Sequence, residues 1–535
     1  MPPDKEHADP VPEISLSFLD YAVIAAYAAV LMGIGMFVSY RQRKSDDLFL
    51  AGRSLHWPNV GLSIFGTNIG PTFLIASCGA GYTSGMVTAN FEWMAFVFLF
   101  VLGMVFVPYY MHTRVSTMPE FMRKRFGDRC HTFMSWYALF STVVLWLGGT
   151  LFAGGALLGQ LMGWSLLTSV CVLAAVAASF TVAGGLAAVA VTDSFQSVLM
   201  IIGAGTLCLI GFSELGGLDG LEGLRVGTLD PELTWRLFHP AGSEAPWYVF
   251  VLGYPVIGFW FWCTDQTIVQ RVLGAKDLRQ AQAGTIFAGF LKILPPFIFL
   301  LPGIFAAALI PGIKDDKAVF ITMVDRYLPH GMTGLMAAVL VAAVISTLDS
   351  GLNSFSTIFT MDVYRRRLRR EVTGHHLKQA GRVVTVGATL LAVAIAMFLA
   401  LAEGTSLFNL FQSIIGFLAP PVAAVFLLGL FWERATSKAA ITTLVAGFTG
   451  CVTIGTLNIL GIGSWPHFLM LSGCLFAANC ALMVVVSLAT RKDDWEERFP
   501  PLREACRDGG VPGTPSWAPW AVLLAIMTGL YVLFN

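Results

Sequence analysis

Apolar residues run in long blocks along this chain, and its polar positions gather in short stretches between them. A block of about 20 predominantly apolar residues crosses the hydrocarbon of a bilayer as an α-helix. The pattern predicts about fourteen such helices, starting near residues 16, 58, 84, 132, 164, 190, 246, 281, 332, 381, 405, 438, 466 and 517. The fold class read from it is an all-α integral membrane protein, placed in the cell membrane. The stretch from Thr117 to Phe126 is too short to cross and reads as a surface helix with proline in its first turn. Met1 to Glu13 is polar and acidic, without the positive n-region and cleavage site of a secretory signal, so the first apolar block is expected to remain as a helix.

Charge in the loops orients the helices, because short cytoplasmic loops are enriched in lysine and arginine. Arg41, Arg43 and Lys44 follow the first helix, Arg114, Arg123, Lys124, Arg125 and Arg129 follow the third, and Arg365, Arg366, Arg367, Arg369 and Arg370 follow the ninth. These loops fall on one face. The loop from Gly216 to Ala245 falls on the other and carries Asp219, Glu222, Asp230, Glu232 and Glu244 against Arg225 and Arg236. Both termini are therefore expected outside.

Composition agrees with a lipid-embedded chain: 56% of residues are apolar and 12% charged, against about 25% charged in soluble domains. The formal net charge is zero, and no basic footprint suited to nucleic acid is present. Seven of the nine cysteines lie inside apolar segments without paired spacing and read as packing residues.

Two apolar segments are interrupted. Gly66, Thr67, Asn68, Ile69, Gly70 and Pro71 break the second, and Gly253, Pro255 and Gly258 break the seventh. Glycine and proline are common in membrane helices. Paired interruptions in corresponding positions of two halves also point to an inverted-repeat carrier with a midplane site. Charges inside apolar runs are the second signal, since each costs about 2.5 to 3.5 kcal/mol at a helix centre. They are Glu92, Asp193, Lys292 and Asp349. The plain alternatives are aspartates near helix ends and a purely structural ion pair between Glu92 and Lys292. Ala343, Ser346, Thr347 and Ser350 share one helix face. Such a face offers oxygen ligands to sodium, although hydroxyls also pack membrane helices together.

The chain resembles the sodium:solute symporters, most closely their sodium/glucose cotransporter branch, from about residue 20 to about 450. The resemblance is carried by Asp47 to Ser54 (DLFLAGRS), Thr117 to Gly127 (TMPEFMRKRFG), Gly184 to Gln196 (GGLAAVAVTDSFQ), Trp262 to Arg271 (WCTDQTIVQR), Gly289 to Lys292 (GFLK), and Gln412 to Trp432 with Pro420 and Pro421. It implies a leucine-transporter-type core of two inverted five-helix repeats, the first helix of each discontinuous. The repeats would occupy 58–216 and 246–435, joined by an extracellular loop at 217–245. A tail, an extra helix and a cytoplasmic loop would fill 1–57, and accessory helices with a cytoplasmic linker at 491–516 would fill 436–535.

The resemblance further implies a sodium site from the carbonyls of Gly66, Ile69 and Ala343 and the hydroxyls of Ser346 and Thr347. A second sodium is matched to Asp193, Asp349 and Ser350, where Ala343 replaces a serine and Asp349 a threonine of some members. For the solute it implies Asn68, Glu92, Trp262, Lys292 and Gln412. Phe73 replaces a histidine or glutamine, Gly258 a threonine or asparagine, and Phe261 the stacking tyrosine. A near-neutral pocket with Glu92 and Lys292 suits an uncharged polyol better than a carboxylate. The expected activity is sodium-coupled import of a sugar or polyol. The alternatives are another small solute, such as inositol or a sugar acid, and a non-transporting solute sensor. No nucleophile-elbow, zinc-ligand or phosphate-loop motif marks an enzyme, and His375 with His376 reads as a solvated pair in a basic loop.

Overall fold

Helices account for every regular element of this computed structural model, which describes residues 16–42, 49–227, 229–243, 245–368, 373–400, 407–493 and 517–535. Arg43, Lys44, Arg369, Arg370, Glu244 and most of the expected linker at 491–516 lie outside the described residues. Eleven stretches among the described residues are long and apolar enough to cross a membrane, and Trp517–Leu533 is a shorter apolar helix. Two of the eleven are about twice membrane length. Phe73–Thr113 has 41 residues and Leu166–Glu214 has 49, roughly 60 and 70 Å at 1.5 Å per residue, against about 30 Å of hydrocarbon. Each is cut by a glycine at positive φ: Gly85 (φ 69°, ψ −149°) and Gly185 (φ 58°, ψ −156°). Glycine reaches this backbone region without the steric cost of a Cβ. The paired helix starts expected near 164 and 190 are the two halves of Leu166–Glu214.

The helices that build the site, brace it or flank it are α1 (Phe18–Gln42), α2 (Trp57–Asn68), α3 (Pro71–Ser84), α4 (Asp128–Ser141), α5 (Leu166–Glu214), α6 (Tyr254–Phe259), α7 (Gln266–Leu273), α8 (Leu278–Leu291), α9 (Met332–Ile358), α10 (Leu407–Phe431) and α11 (Ser437–Ile459). The first interruption lies where the sequence puts it. α2 stops at Asn68, and the Ile69 N–H donates to the Phe65 carbonyl at 3.2 Å. Gly70 is extended, and Pro71 opens α3, where its missing N–H costs nothing.

The second interruption is not at Gly253, Pro255 and Gly258. Gly253 is helical (φ −100°, ψ −47°), Pro255 sits in the tolerated first turn of α6, and Gly258 lies inside it. A π-helical turn, Trp260–Thr264, follows, and the chain leaves helical geometry at Asp265 (φ −73°, ψ 131°). There the Asp265 carboxylate accepts the Thr267 N–H at 2.8 Å and caps α7.

α9 is the most enclosed span, with 89% of its apolar window buried against 17% for α1. α1 nevertheless holds one end of it. Fully buried Asp20 accepts the Gly331 N–H at 2.7 Å and the Gly334 N–H at 2.6 Å, satisfying two orphan donors at the start of α9. Asp20→Ala is expected to lower stability by about 0.5 to 2 kcal/mol. An unchanged thermal unfolding midpoint in detergent would show that water replaces the carboxylate.

The short helix Met118–Phe126 forms as expected, with Thr117 Oγ1 accepting the Glu120 N–H at 3.2 Å. Its Arg125 is buried and donates from Nε to the Gly429 carbonyl at 2.8 Å, which docks the basic loop on the end of α10.

Candidate functional site

A cavity of about 130 Å³ opens beside the first break. About 10 to 15 Å³ of such volume holds one water, so there is room for a small solute of about ten heavy atoms. Six of the seven residues expected to touch solute line it: Asn68, Phe73, Glu92, Phe261, Trp262 and Gln412. The seventh, Lys292, is buried behind Glu92 and pairs with its carboxylate. Its ammonium lies 4.9 Å over the Trp262 ring, a cation–π contact. Lys292 also terminates α8, where a cation is favoured by the helix dipole. Glu92 accepts from Asn68 Nδ2 at 3.2 Å as well. The ion pair offered as a purely structural alternative is therefore present, and one of its members also faces the cavity.

Several lining residues escape the sequence. Tyr254 and Thr150 line the cavity, and so does Trp146, whose Nε1 donates to Asp265 Oδ2 at 3.3 Å. Trp146 and Thr150 carried a faint signal, an aromatic and a hydroxyl four residues apart on one face of an otherwise aliphatic run. Phe261 stands 5.4 Å from Trp146 and 4.7 Å from Trp262, ring centre to ring centre, so the cavity has an aromatic wall. Phe73 meets Phe299 edge-on at 6.1 Å. The glycine at 258 has a packing cause, because a Cβ there would lie 2.5 Å from the Phe98 ring. Gly258→Thr is expected to cost about 1 to 3 kcal/mol through overpacking. Unaltered thermal stability would mean that Phe98 swings aside.

Behind the cavity the break glycines press on the neighbouring helices. A Cβ on Gly66 would lie 2.6 Å from Ser197 Oγ and 3.1 Å from Ser346 Oγ, and one on Gly70 would lie 3.2 Å from Thr347 Oγ1. Ile69 is fully buried at the break. Asp193 of α5 accepts from Ser346 Oγ and from Ser63 Oγ, each at 2.6 Å. Thr347 Oγ1 donates to the Ala343 carbonyl at 3.0 Å.

Arg271, unassigned at the sequence level beyond closing the Trp262 to Arg271 motif, is the centre of this network. Its Nη2 lies 3.6 Å from Asp193 Oδ2, and its Nε donates to Ser63 Oγ at 3.3 Å. It also donates to Ser350 Oγ and to the Thr267 carbonyl. Thr67 Oγ1 and Ser350 Oγ are hydrogen-bonded at 2.9 Å. Both interrupted helices are thus tied to α5 and α9 through fully buried polar groups. Asp349 stands apart from the hydrogen bonds of Asp193 and Ser350. Its Oδ1 accepts from Thr181 Oγ1 at 3.2 Å, and its Oδ2 has no hydrogen-bond partner among the described residues.

The sodium:solute symporter family model matches residues 48–447. The chain is 34% identical over 539 residues to sodium/glucose cotransporter 4 of Danio rerio, spanning 91% of this chain and 82% of that one. It is 33% identical over 552 residues to the human sodium/myo-inositol cotransporter, spanning 92% and 75%. Among solved structures, a Na+-coupled sialic acid symporter in a substrate-bound outward-open state superposes with a TM-score of 0.78 at 20% identity. That likeness covers 89% of this chain and 99% of the other, and at such identity it speaks for the fold. The protein is multi-pass and has the five-plus-five inverted-repeat core of the leucine-transporter type. A family match across most of the length, relatives aligned over nine-tenths of this chain and a shared fold lead to one conclusion: the chain belongs to the sodium:solute symporter family.

Proposed function

We propose that this protein imports a small uncharged polyhydroxyl solute, a sugar or polyol, together with sodium by alternating access. One observation carries the reading. Thr347 lines the solute cavity and, with Gly66, Ile69, Ala343 and Ser346, belongs to the sodium set, so ion and solute meet at one residue. Ser346 and Thr347 spend their protons on Asp193 and on the Ala343 carbonyl, which leaves hydroxyl lone pairs for a cation. Sodium there holds the break between α2 and α3 against α9 and completes the cavity wall. The second sodium is assigned to Asp193, Asp349 and Ser350, with Arg271 as the fixed charge beside them.

The solute reading rests on Asn68, Glu92 and Gln412 as hydrogen-bonding groups, on Lys292 as the charge that balances Glu92, and on Phe261 and Trp262 as ring faces, with Phe73 closing an apolar side. The names of the glucose and myo-inositol cotransporters support a sugar or cyclic polyol. The two repeats are assigned to 58–216 and 246–435, and the protein acts as a carrier with no catalytic step. Each sodium entering down a potential gains about 2.3 kcal/mol per 100 mV, and a tenfold gradient takes about 1.4 kcal/mol. One ion therefore sustains more than a tenfold accumulation, and a second squares it.

A screen of thermal stability against sugars, polyols, sugar acids and amino acids, with and without sodium, names the solute through a shift that needs both. Uptake into proteoliposomes under a sodium gradient then tests the coupling. Ser346→Ala and Thr347→Ala are each expected to reduce sodium-driven uptake by roughly tenfold or more, the loss of about one charge-assisted contact. Uptake indifferent to both substitutions would remove the site.

A further inference from the structure

The outer surface between α4 and α11 carries a groove of about 550 Å³ that plays no part in the solute site. Its α4 wall is Arg129, Thr132, Phe133, Trp136, Tyr137 and Phe140. This spacing of three or four residues defines a single helix face. Its α11 wall includes Ile441 and Phe448, and exposed Val445 lies between them on the same face. The span that contains α4 is mostly buried, yet Trp136 and Phe140 are 52% and 53% exposed, both on this groove. The floor is closed by Phe448, which meets Phe133 and Tyr137 edge-on, each at 5.8 Å. The one buried hydroxyl, on Tyr137, donates inward to the Leu418 carbonyl at 3.1 Å.

Both walls start with a cation. Arg129 stands in the first turn of α4, directly after the helix of the basic loop, and Lys438 stands one turn before Ile441 on the same face of α11. Both are exposed, and neither forms an ion pair with a described residue. By the loop charges this end is cytoplasmic. From Arg129 to Phe140 the face rises about 16 Å at 1.5 Å per residue, which is half of the roughly 30 Å hydrocarbon. The groove is thus apolar over the depth of one leaflet, and at that leaflet's headgroup level the two cations Arg129 and Lys438 outnumber Asp493, whose Oδ2 accepts the Ser437 N–H at 2.5 Å.

We propose that it seats an anionic phospholipid of the cytoplasmic leaflet. The phosphate lies between Arg129 and Lys438, and one acyl chain runs along Phe133, Trp136, Phe140 and Phe448. The two cations set the preference for an anionic headgroup, and the aromatic wall sets the affinity for the chain. A bound lipid bridges α4 of the transport core to accessory α11.

Native mass spectrometry of the full chain, released from bilayers of equimolar phosphatidylglycerol and phosphatidylcholine, tests this. The unaltered protein is expected to retain phosphatidylglycerol preferentially. The Arg129→Ala/Lys438→Ala variant should lose about fivefold of that preference per cation removed, whereas Arg129→Lys should keep most of it. Trp136→Ala should weaken retention of both lipids. Thermal unfolding without added lipid separates these effects from misfolding. Equal retention of the two lipids by the unaltered protein overturns the proposal, as does retention indifferent to the double substitution. Displacement by glycerol phosphate lacking acyl chains, or a second copy cross-linked at Trp136→Cys, would also overturn it.

Discussion

Replacing Lys292 by alanine is expected to abolish uptake and to lower stability by about 3 to 5 kcal/mol. Lys292 is 1% exposed and its ammonium donates to Glu92, itself 6% exposed. Removing one member of such a pair leaves the other as an uncompensated buried charge, which is the costly direction. The Lys292→Met/Glu92→Gln double variant separates structure from function. It retains the volume, buries no net charge, and should recover most of the lost stability. Uptake should not return, because Glu92 faces the cavity and a neutral amide in its place binds a hydroxyl solute without the charge-assisted bond. The measurement pairs thermal unfolding with uptake for both variants. A double variant that transports normally would reduce the pair to packing.

The second large effect is expected at Arg271. Its guanidinium is fully buried and serves Asp193, Ser63, Ser350 and the Thr267 carbonyl together. Arg271→Ala strands Asp193 and separates α7 from α2 and α9, with an expected loss of about 3 to 5 kcal/mol. Arg271→Lys keeps the charge but not the planar fork of five donors. It should fold, and sodium-dependent uptake should need markedly more sodium, because Asp193 and Ser350 are no longer held in place. A normal sodium requirement in Arg271→Lys would confine Arg271 to holding the fold.

The two interrupted helices show how far local pattern reaches. At the first, Gly66 to Pro71 concentrates glycine and proline in an apolar run, and the helix stops there because Gly70 is extended and Pro71 is suited to opening a new helix. At the second, Gly253, Pro255 and Gly258 carry the same composition but have other causes. Pro255 occupies a first turn, and Gly258 makes room for the Phe98 ring, 160 positions away in the chain. The break belongs to Asp265, an N-cap whose signal was an aspartate two residues before a threonine that it binds. Glycine and proline are ambiguous between breaking and packing until their neighbours are known.

The address in the membrane was determined by the sequence alone, because apolar length and loop charge are local quantities that the bilayer reads directly. So was the first break, and so were the chemical types that line the cavity beside it, carried by motifs in the right order. Tertiary structure decided which of those groups meet. Lys292 stands behind Glu92 and does not line the cavity, Trp146 and Tyr254 join the wall, Arg271 gathers the ion network, and Asp349 turns to Thr181. These outcomes depend on pairs up to 208 residues apart, and a helix face specifies only that a residue points inward. What it meets there is settled by the packing of helices from distant parts of the chain, where each buried polar group must find a partner or remain without one.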